Sequence, residues 1–296
     1  MPRLKKIEPS AASRLFSAKV IQELARKGKS PIFSRLVKES KLIDFFDKSK
    51  NISHIFDLAF HLLERQEYRN EYTYKVALIR KILLGIHSLN TASMINEFRI
   101  GSSKADIVIL NGTGTVYEIK SERDSLRRLK DQLTSYLNVF ASVNVLAGKN
   151  HLREIIDTVP EEVGILFLSD RFQISTVREP NNDPSRTNSI QIFDSLTTLE
   201  AGMIINDLGL DLPVVPNIKR HNIYKKIFSE INPEMAHSSM IKILKKTRTL
   251  SLFNEFIHDI PFSLYPTVLS SRFKKQDQKR LMETLEIPAS QAVLWA

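Results

Sequence analysis

Two apolar runs around an Asn-Gly turn, Lys104-Ala-Asp-Ile-Val-Ile-Leu-Asn111 and Thr115-Val-Tyr-Glu-Ile-Lys-Ser121, constrain this chain most. Each is short, rich in β-branched residues and bounded by turn formers, so each predicts a strand, at 104–111 and 115–121. Successive side chains of a strand point to opposite faces, which places Glu118 and Lys120 together and sends Tyr117 and Ile119 the other way. A hairpin turning at Gly112 brings Asp106 opposite Glu118, within a residue of register. Two carboxylates and a lysine then converge on one face of strands that are otherwise apolar.

Such a trio on an exposed edge could be a solvated charge pattern. Within Ile-Val-Ile-Leu and Val-Tyr-x-Ile it is expected to be buried, where unpaired charges cost several kcal/mol. Oxygen ligands of this kind suit a hard divalent cation that keeps its waters. A lysine beside it can orient such a water and offset charge on a phosphate. Read from the residues alone, the trio therefore points to metal-assisted phosphodiester hydrolysis.

The chain continues into a predicted helix, 125–140, with Asp124 or Ser125 as its cap and an apolar face at Leu126, Leu129, Leu133, Tyr136, Leu137 and Phe140. Gln132 and Tyr136 are four apart and share a face. In order, Asn70-Glu71-Tyr72-Thr73-Tyr74-Lys75, Glu97-Phe98-Arg99, Lys104-Ala105-Asp106, Tyr117-Glu118-Ile119-Lys120-Ser121 and Gln132-Leu133-Thr134-Ser135-Tyr136 resemble the PD-(D/E)XK nuclease superfamily. The resemblance covers about residues 50–180. It is nearest to the RecB-like branch with its Gln-x-x-x-Tyr helix, and within it to an uncharacterised bacterial family named from a "sce" locus tag.

The resemblance implies a restriction-endonuclease-like α/β sandwich, a central mixed sheet flanked by helices. It implies a metal-dependent nuclease acting on DNA rather than RNA, in phage defence or mobile-element DNA processing, with a catalytically silent nucleic-acid-binding protein or complex subunit as the alternative. Asp106 and Glu118 would bind Mg²⁺ or Mn²⁺ with the Ile119 carbonyl, Lys120 would position the attacking water, and Gln132 and Tyr136 would order the lysine or the DNA backbone. Glu71 matches a carboxylate on the helix before the sheet. Ala105 stands where the superfamily's name has proline. Several residues also have plainer readings. Glu71 and Lys75 form an i,i+4 pair of the kind that is usually a solvated salt bridge; Glu97 competes with Glu71 as the extra carboxylate; Tyr136 could simply pack. The histidines form no ligand set, and no glycine lies in a phosphate-binding loop frame.

Composition narrows the partners. The 296 residues carry a formal net charge of +10, which favours polyanions. Between Lys219 and Arg280 stand 13 Lys/Arg against 5 Asp/Glu, and Arg3, Lys5, Lys6, Arg14 and Lys19 open a second basic region. Lys242, Lys245, Lys246 and Arg248, with Arg127 and Arg128, are the candidate nucleic-acid contacts; a protein partner is a further expectation. Without cysteine there are no disulfides and no thiolate zinc site. With no long apolar run and no signal-peptide pattern, a soluble cytoplasmic protein without a membrane partner is expected.

Along the chain, residues 1–65 read as a basic helical region, with helices at 11–26, 32–37 and 52–63. Residues 66–180 read as the α/β core: a helix at 70–86, strands near 94–100, 104–111, 115–121, 143–147, 163–169 and 173–178, and a short helix at 152–158. Turn formers at 181–188 read as a linker, and 189–296 as a helical basic region, with helices near 195–208, 223–231, 234–246, 251–258 and 271–285.

Overall fold

The computed structural model describes residues 7–45, 47 and 49–296; Arg3, Lys5 and Lys6 of the expected basic start lie outside them. The chain forms two compact units, one of residues 1–86, 170–172 and 251–296, the other of residues 87–169 and 173–250. No helix among the described residues is long and apolar enough to cross a membrane.

The second unit is mixed α/β. Its six strands, β1 (Ser93–Ile100), β2 (Ser103–Asn111), β3 (Thr113–Lys120), β4 (Ser142–Ala147), β5 (Gly164–Leu168) and β6 (Ile174–Arg178), lie side by side in sequence order. β1, β2 and β3 pair antiparallel, β3, β4 and β5 parallel, and β6 returns antiparallel to β5. Two parallel neighbours need crossovers, and the helices Leu129–Leu137 and Leu152–Thr158 supply them. The buried β4 reads Val-Asn-Val-Leu-Ala, a nearly continuous apolar run, as a strand covered on both faces requires. Phe98, Val116, Leu133, Phe140, Val143 and Ile165 share one core with Ile204, Phe228 and Ile241 from later helices. Gly114 lets that core close: a Cβ there would stand 2.5 Å from Ile241 Cδ1 and 2.7 Å from Phe140 Cδ1.

The expected division at 181–188 is not where the units part. Residues 189–250, with helices Ser189–Asp194, Thr198–Asp207, Asn217–Glu230 and Pro233–Thr247, belong to the sheet's unit, and only 251–296 join the N-terminal residues. The supposed linker is tied down by its backbone: Asp183 N–H donates to Ala141 O at 3.0 Å and Asn188 N–H to Asn138 O at 2.7 Å. Turn-forming composition signals irregular backbone, and irregular backbone can still find fixed partners.

The first unit is helical. The expected helix 11–26 breaks into Pro9–Arg14 and Ala18–Lys27, with Ser17 entering the second in an extended conformation. Gly28, at φ 67°, ends it and Pro31 starts the next, the usual asymmetry of helix stops and starts. Phe16, Phe33, Phe56 and Phe60 are buried here, Phe16 lying 5.6 Å from Phe56 and 5.1 Å from Tyr72 between ring centres. Arg69 is buried as well, donating from Nε to Glu64 O at 2.8 Å and from a terminal nitrogen to Asp170 O at 3.1 Å. The expected helix 251–258 is replaced by short 3₁₀ turns.

Candidate functional site

The charged trio sits where local chemistry puts it. Gly112 takes φ 70° at the hairpin tip, a left-handed conformation that glycine adopts without strain. Asn111 therefore pairs with Thr113, and Ile107 with Tyr117. Continuing that register places Asp106 opposite Glu118, where the ladder gives way to a side-chain bond: Ile119 N–H donates to Asp106 Oδ2 at 2.7 Å. β3 lies between β2 and β4, and the face that carries its polar side chains is covered by Gln132 and Tyr136 of the Leu129–Leu137 helix. Glu118 is 2% exposed and Lys120 7% exposed.

The Leu129–Leu137 helix completes the cluster. Lys120 Nζ donates to Glu118 Oε1 at 2.7 Å and to Gln132 Oε1 at 3.1 Å. Tyr136 OH lies 2.8 Å from Glu118 Oε2 and 3.0 Å from Lys104 O. Its single proton is best claimed by the charged acceptor. Burial, reinforced by the Glu118 carboxylate, raises the Tyr136 hydroxyl far above the ordinary tyrosine range, so it remains a donor throughout the working pH range. The structure thus brings together Asp106, Glu118, Lys120, Gln132 and Tyr136. Both Glu118 oxygens already accept from neighbours. A divalent cation at Glu118 would have to share these oxygens with Lys120 and Tyr136, and among the described residues there is no group of three or more His, Asp or Glu that could hold one. Ile119, expected to lend its carbonyl, pairs with Leu146 in the parallel ladder.

Glu71 lies in the other unit and pairs with Lys75 at 2.6 Å. Glu97 occupies a positive-φ position on β1 (φ 55°), and its exposed carboxylate bonds Lys104 at 2.8 Å. Arg127 and Arg128 are exposed just before the Leu129–Leu137 helix. Lys245 is half-buried and Lys246 exposed, whereas Lys242 bonds Asp207. Arg248 is drawn inward: it bonds Glu200 at 2.9 and 3.0 Å and lies 5.3 Å from the Phe98 ring centre. Sequence reasoning misses Glu200 and Asp207 as the partners of Arg248 and Lys242. The Thr197-x-x-Glu200 capping spacing is the available signal for Glu200.

Comparison with known proteins identifies the chain's relatives. A family model described as bacteriophage P4 protein cII matches residues 64–259, well over half the chain. Protein cII of Enterobacteria phage P4 is 30% identical over 148 residues, which is 49% of this chain and 56% of that protein; the chain thus spans about half the length of the curated relative it matches. No solved structure matches. The chain belongs to the phage P4 protein cII family.

That membership corrects the resemblance drawn from the motifs. The chain is not placed in the PD-(D/E)XK superfamily or its "sce"-type branch. The readings as metal-dependent nuclease, hydrolase, magnesium enzyme and phage-defence protein fall with it. The motif pieces that suggested them rest on a handful of side chains. Here those side chains have a second account, since they hydrogen-bond one another in a buried cluster.

Proposed function

We propose that this member of the phage P4 protein cII family is a nucleic-acid-binding protein, DNA being its partner, whose buried charged cluster is structural and catalytically silent. The observation that carries the reading is the exposure of Arg123, Arg127, Arg128 and Lys130 within eight residues. They precede and open a helix whose first N–H groups have no side-chain cap. Basic side chains beside the positive end of a helix suit phosphate oxygens, and the formal charge of +10 favours the same partner. Lys245 and Lys246 form a second, smaller basic group. The cluster of Glu118, Lys120, Gln132 and Tyr136 would anchor this helix to the sheet and so fix the angle at which the arginines are presented. The finer architecture, a restriction-endonuclease-like sandwich, is supported by the antiparallel β1–β2–β3 meander leading into parallel β4 and β5. It is a reading of fold alone and brings no activity with it.

The test is fluorescence anisotropy with labelled duplex DNA, single-stranded DNA and RNA over a range of salt. Wild-type binding should weaken linearly in log–log form. Arg127→Ala/Arg128→Ala should flatten the slope by about 2, near 0.9 for each phosphate no longer neutralised. Absence of salt-dependent binding to all three polymers would sink the proposal and leave a subunit whose partner is protein.

A further inference from the structure

Away from the charged cluster, residues 210–218 carry a pattern that is inverted for a globular surface. The segment Leu210-Asp-Leu-Pro-Val-Val-Pro-Asn-Ile218 joins the Thr198–Asp207 and Asn217–Glu230 helices and has no regular structure up to Pro216. Its alternate residues are all apolar, namely Leu210, Leu212, Val214, Pro216 and Ile218, and all are exposed. Val214 is fully open to solvent and Ile218 is 88% exposed. Period-two apolar residues normally face a core. Here they face outward, and contiguous apolar exposure of this kind marks a contact surface.

The ridge is held rather than loose. Leu210 N–H donates to Ile205 O at 3.1 Å, and Arg220 Nε donates to Val215 O at 3.3 Å. Leu212 lies close to Gly202, 3.6 Å from where a Cβ would stand. Pro216 takes φ −55° and ψ 146°, the polyproline II conformation. A preformed ridge loses little conformational freedom on binding. Elsewhere in this unit, Leu208 and Met235 line an open groove with Asp207, Glu234, Ser238, Ser239 and Lys242.

Chemistry selects the occupant. Pro213 and Pro216 have no N–H to donate, so a strand cannot add to this segment by regular pairing; recognition has to go through side chains. Lys219, Arg220 and Lys226 follow on the next helix, and Asp211 is the one acidic residue between 208 and 229. A second copy docking the same face would set these cations against one another. A membrane surface would meet a ridge without a single aromatic ring, whereas interfacial segments rely on tryptophan and other large side chains. We infer that Leu210–Ile218 docks a partner protein's amphipathic helix, whose apolar stripe covers the ridge and whose flanking carboxylates meet Lys219, Arg220 and Lys226.

The test uses the full chain and two synthetic helical peptides with one leucine stripe, flanked by glutamate in the first and by lysine in the second. Calorimetric titration should give saturable binding of the glutamate peptide with Kd on the order of 100 µM, and binding of the lysine peptide at least about tenfold weaker. Val214→Ser/Ile218→Ser should weaken the glutamate peptide about tenfold while leaving the thermal midpoint and DNA binding unchanged, since both side chains point to solvent. Lys219→Glu/Arg220→Glu should invert the peptide preference. The inference is overturned by no saturable binding of the glutamate peptide, or by equal binding to Val214→Ser/Ile218→Ser. It is overturned equally if sedimentation shows a wild-type dimer that this variant loses, which would make the occupant a second copy. Co-flotation of the wild type alone with phosphatidylserine–phosphatidylcholine vesicles would give the ridge to a lipid surface instead.

Discussion

Glu118 and Lys120 allow a sharp test of whether the central cluster is a strut. The pair is almost wholly enclosed, 2.7 Å apart, and each member has one more polar partner from the Leu129–Leu137 helix. Glu118→Gln preserves shape and an acceptor for Tyr136 but takes from the buried Lys120 ammonium the carboxylate it is bonded to. Lys120→Met leaves the Glu118 carboxylate with Tyr136 as its only strong donor. Removing one partner of a buried pair costs about 3–5 kcal/mol, whereas replacing both by neutral groups of similar volume is often nearly neutral. Each single variant is therefore expected to lose about 3 kcal/mol, taking the lower figure because hydrogen bonds survive, and the double variant only about 1 kcal/mol. The chain has two units, so a global unfolding midpoint would report whichever gives way first. Hydrogen exchange of β3 and Leu129–Leu137 peptides across a urea series reads the right element. Single variants within about 1 kcal/mol of wild type, or a double variant equal to the sum of the singles, would refute the closed-pair account.

Three further outcomes are expected. Gly114→Ala places a Cβ 2.5 Å from Ile241 and 2.7 Å from Phe140; overpacking of this kind costs about 1–3 kcal/mol, and unchanged exchange protection in β3 would contradict it. His237, 3% exposed, accepts the Ala141 N–H at 3.2 Å, and burial, with Arg186 nearby, lowers its pKa to about 4. A base whose folded pKa lies below its unfolded value stabilises fully above the unfolded value of 6.5, and that stability is lost as pH falls towards 4. The loss should approach about 3 kcal/mol and be absent in His237→Gln; a wild-type acid profile identical to the variant's would show that His237 is not the group involved. Finally, millimolar Mg²⁺ or Mn²⁺ should leave the protection of β3 unchanged, because Lys120 already neutralises the Glu118 carboxylate. A saturable gain above about 1 kcal/mol would mean that an ion shares the Glu118 oxygens.

The hairpin is legible in the sequence because period-two alternation and Asn111-Gly112 act together: once the turn is tight, one register follows and Asp106 faces Glu118. The start of the next helix is not. Asp124 reads as a cap, yet its carboxylate accepts from Ser121 N–H at 2.8 Å and Ser121 OH at 2.6 Å, and the helix begins only at Leu129. Asp and Ser bond nearby backbone in several ways, and sequence does not say which wins. The polar character of 181–188 hides its attachment to Ala141 and Asn138. A basic count over 219–280 likewise pools Lys246, which is exposed, with Arg248, which Glu200 holds. The Leu210–Ile218 ridge is present in the letters, but alternation shows only that one face is apolar, and the fold decides which way that face turns.

The expected burial of Asp106, Glu118 and Lys120, which the structure bears out for Glu118 and Lys120 while Asp106 stays partly exposed, reads in the sequence as a sign of chemistry, because unpaired buried charge is expensive. The same expense can be met without a ligand, by giving every charge a partner from the chain itself. What separates the two cases is where the acceptor atoms are committed. A catalytic carboxylate keeps an oxygen for the reacting group, in a geometry prepared before the substrate arrives. Glu118 gives one oxygen to Lys120 and the other to Tyr136, while Asp106 caps the Ile119 N–H. Gln132 bridges the ring of contacts, 3.1 Å from Lys120 and 3.4 Å from Tyr136. Four side chains thus join β3 to one helix, and the exposed Arg127 and Arg128 sit at that helix's entrance. The cluster then fixes where two cations stand, and its loss should disturb the proposed DNA binding only as far as it loosens the helix that carries them.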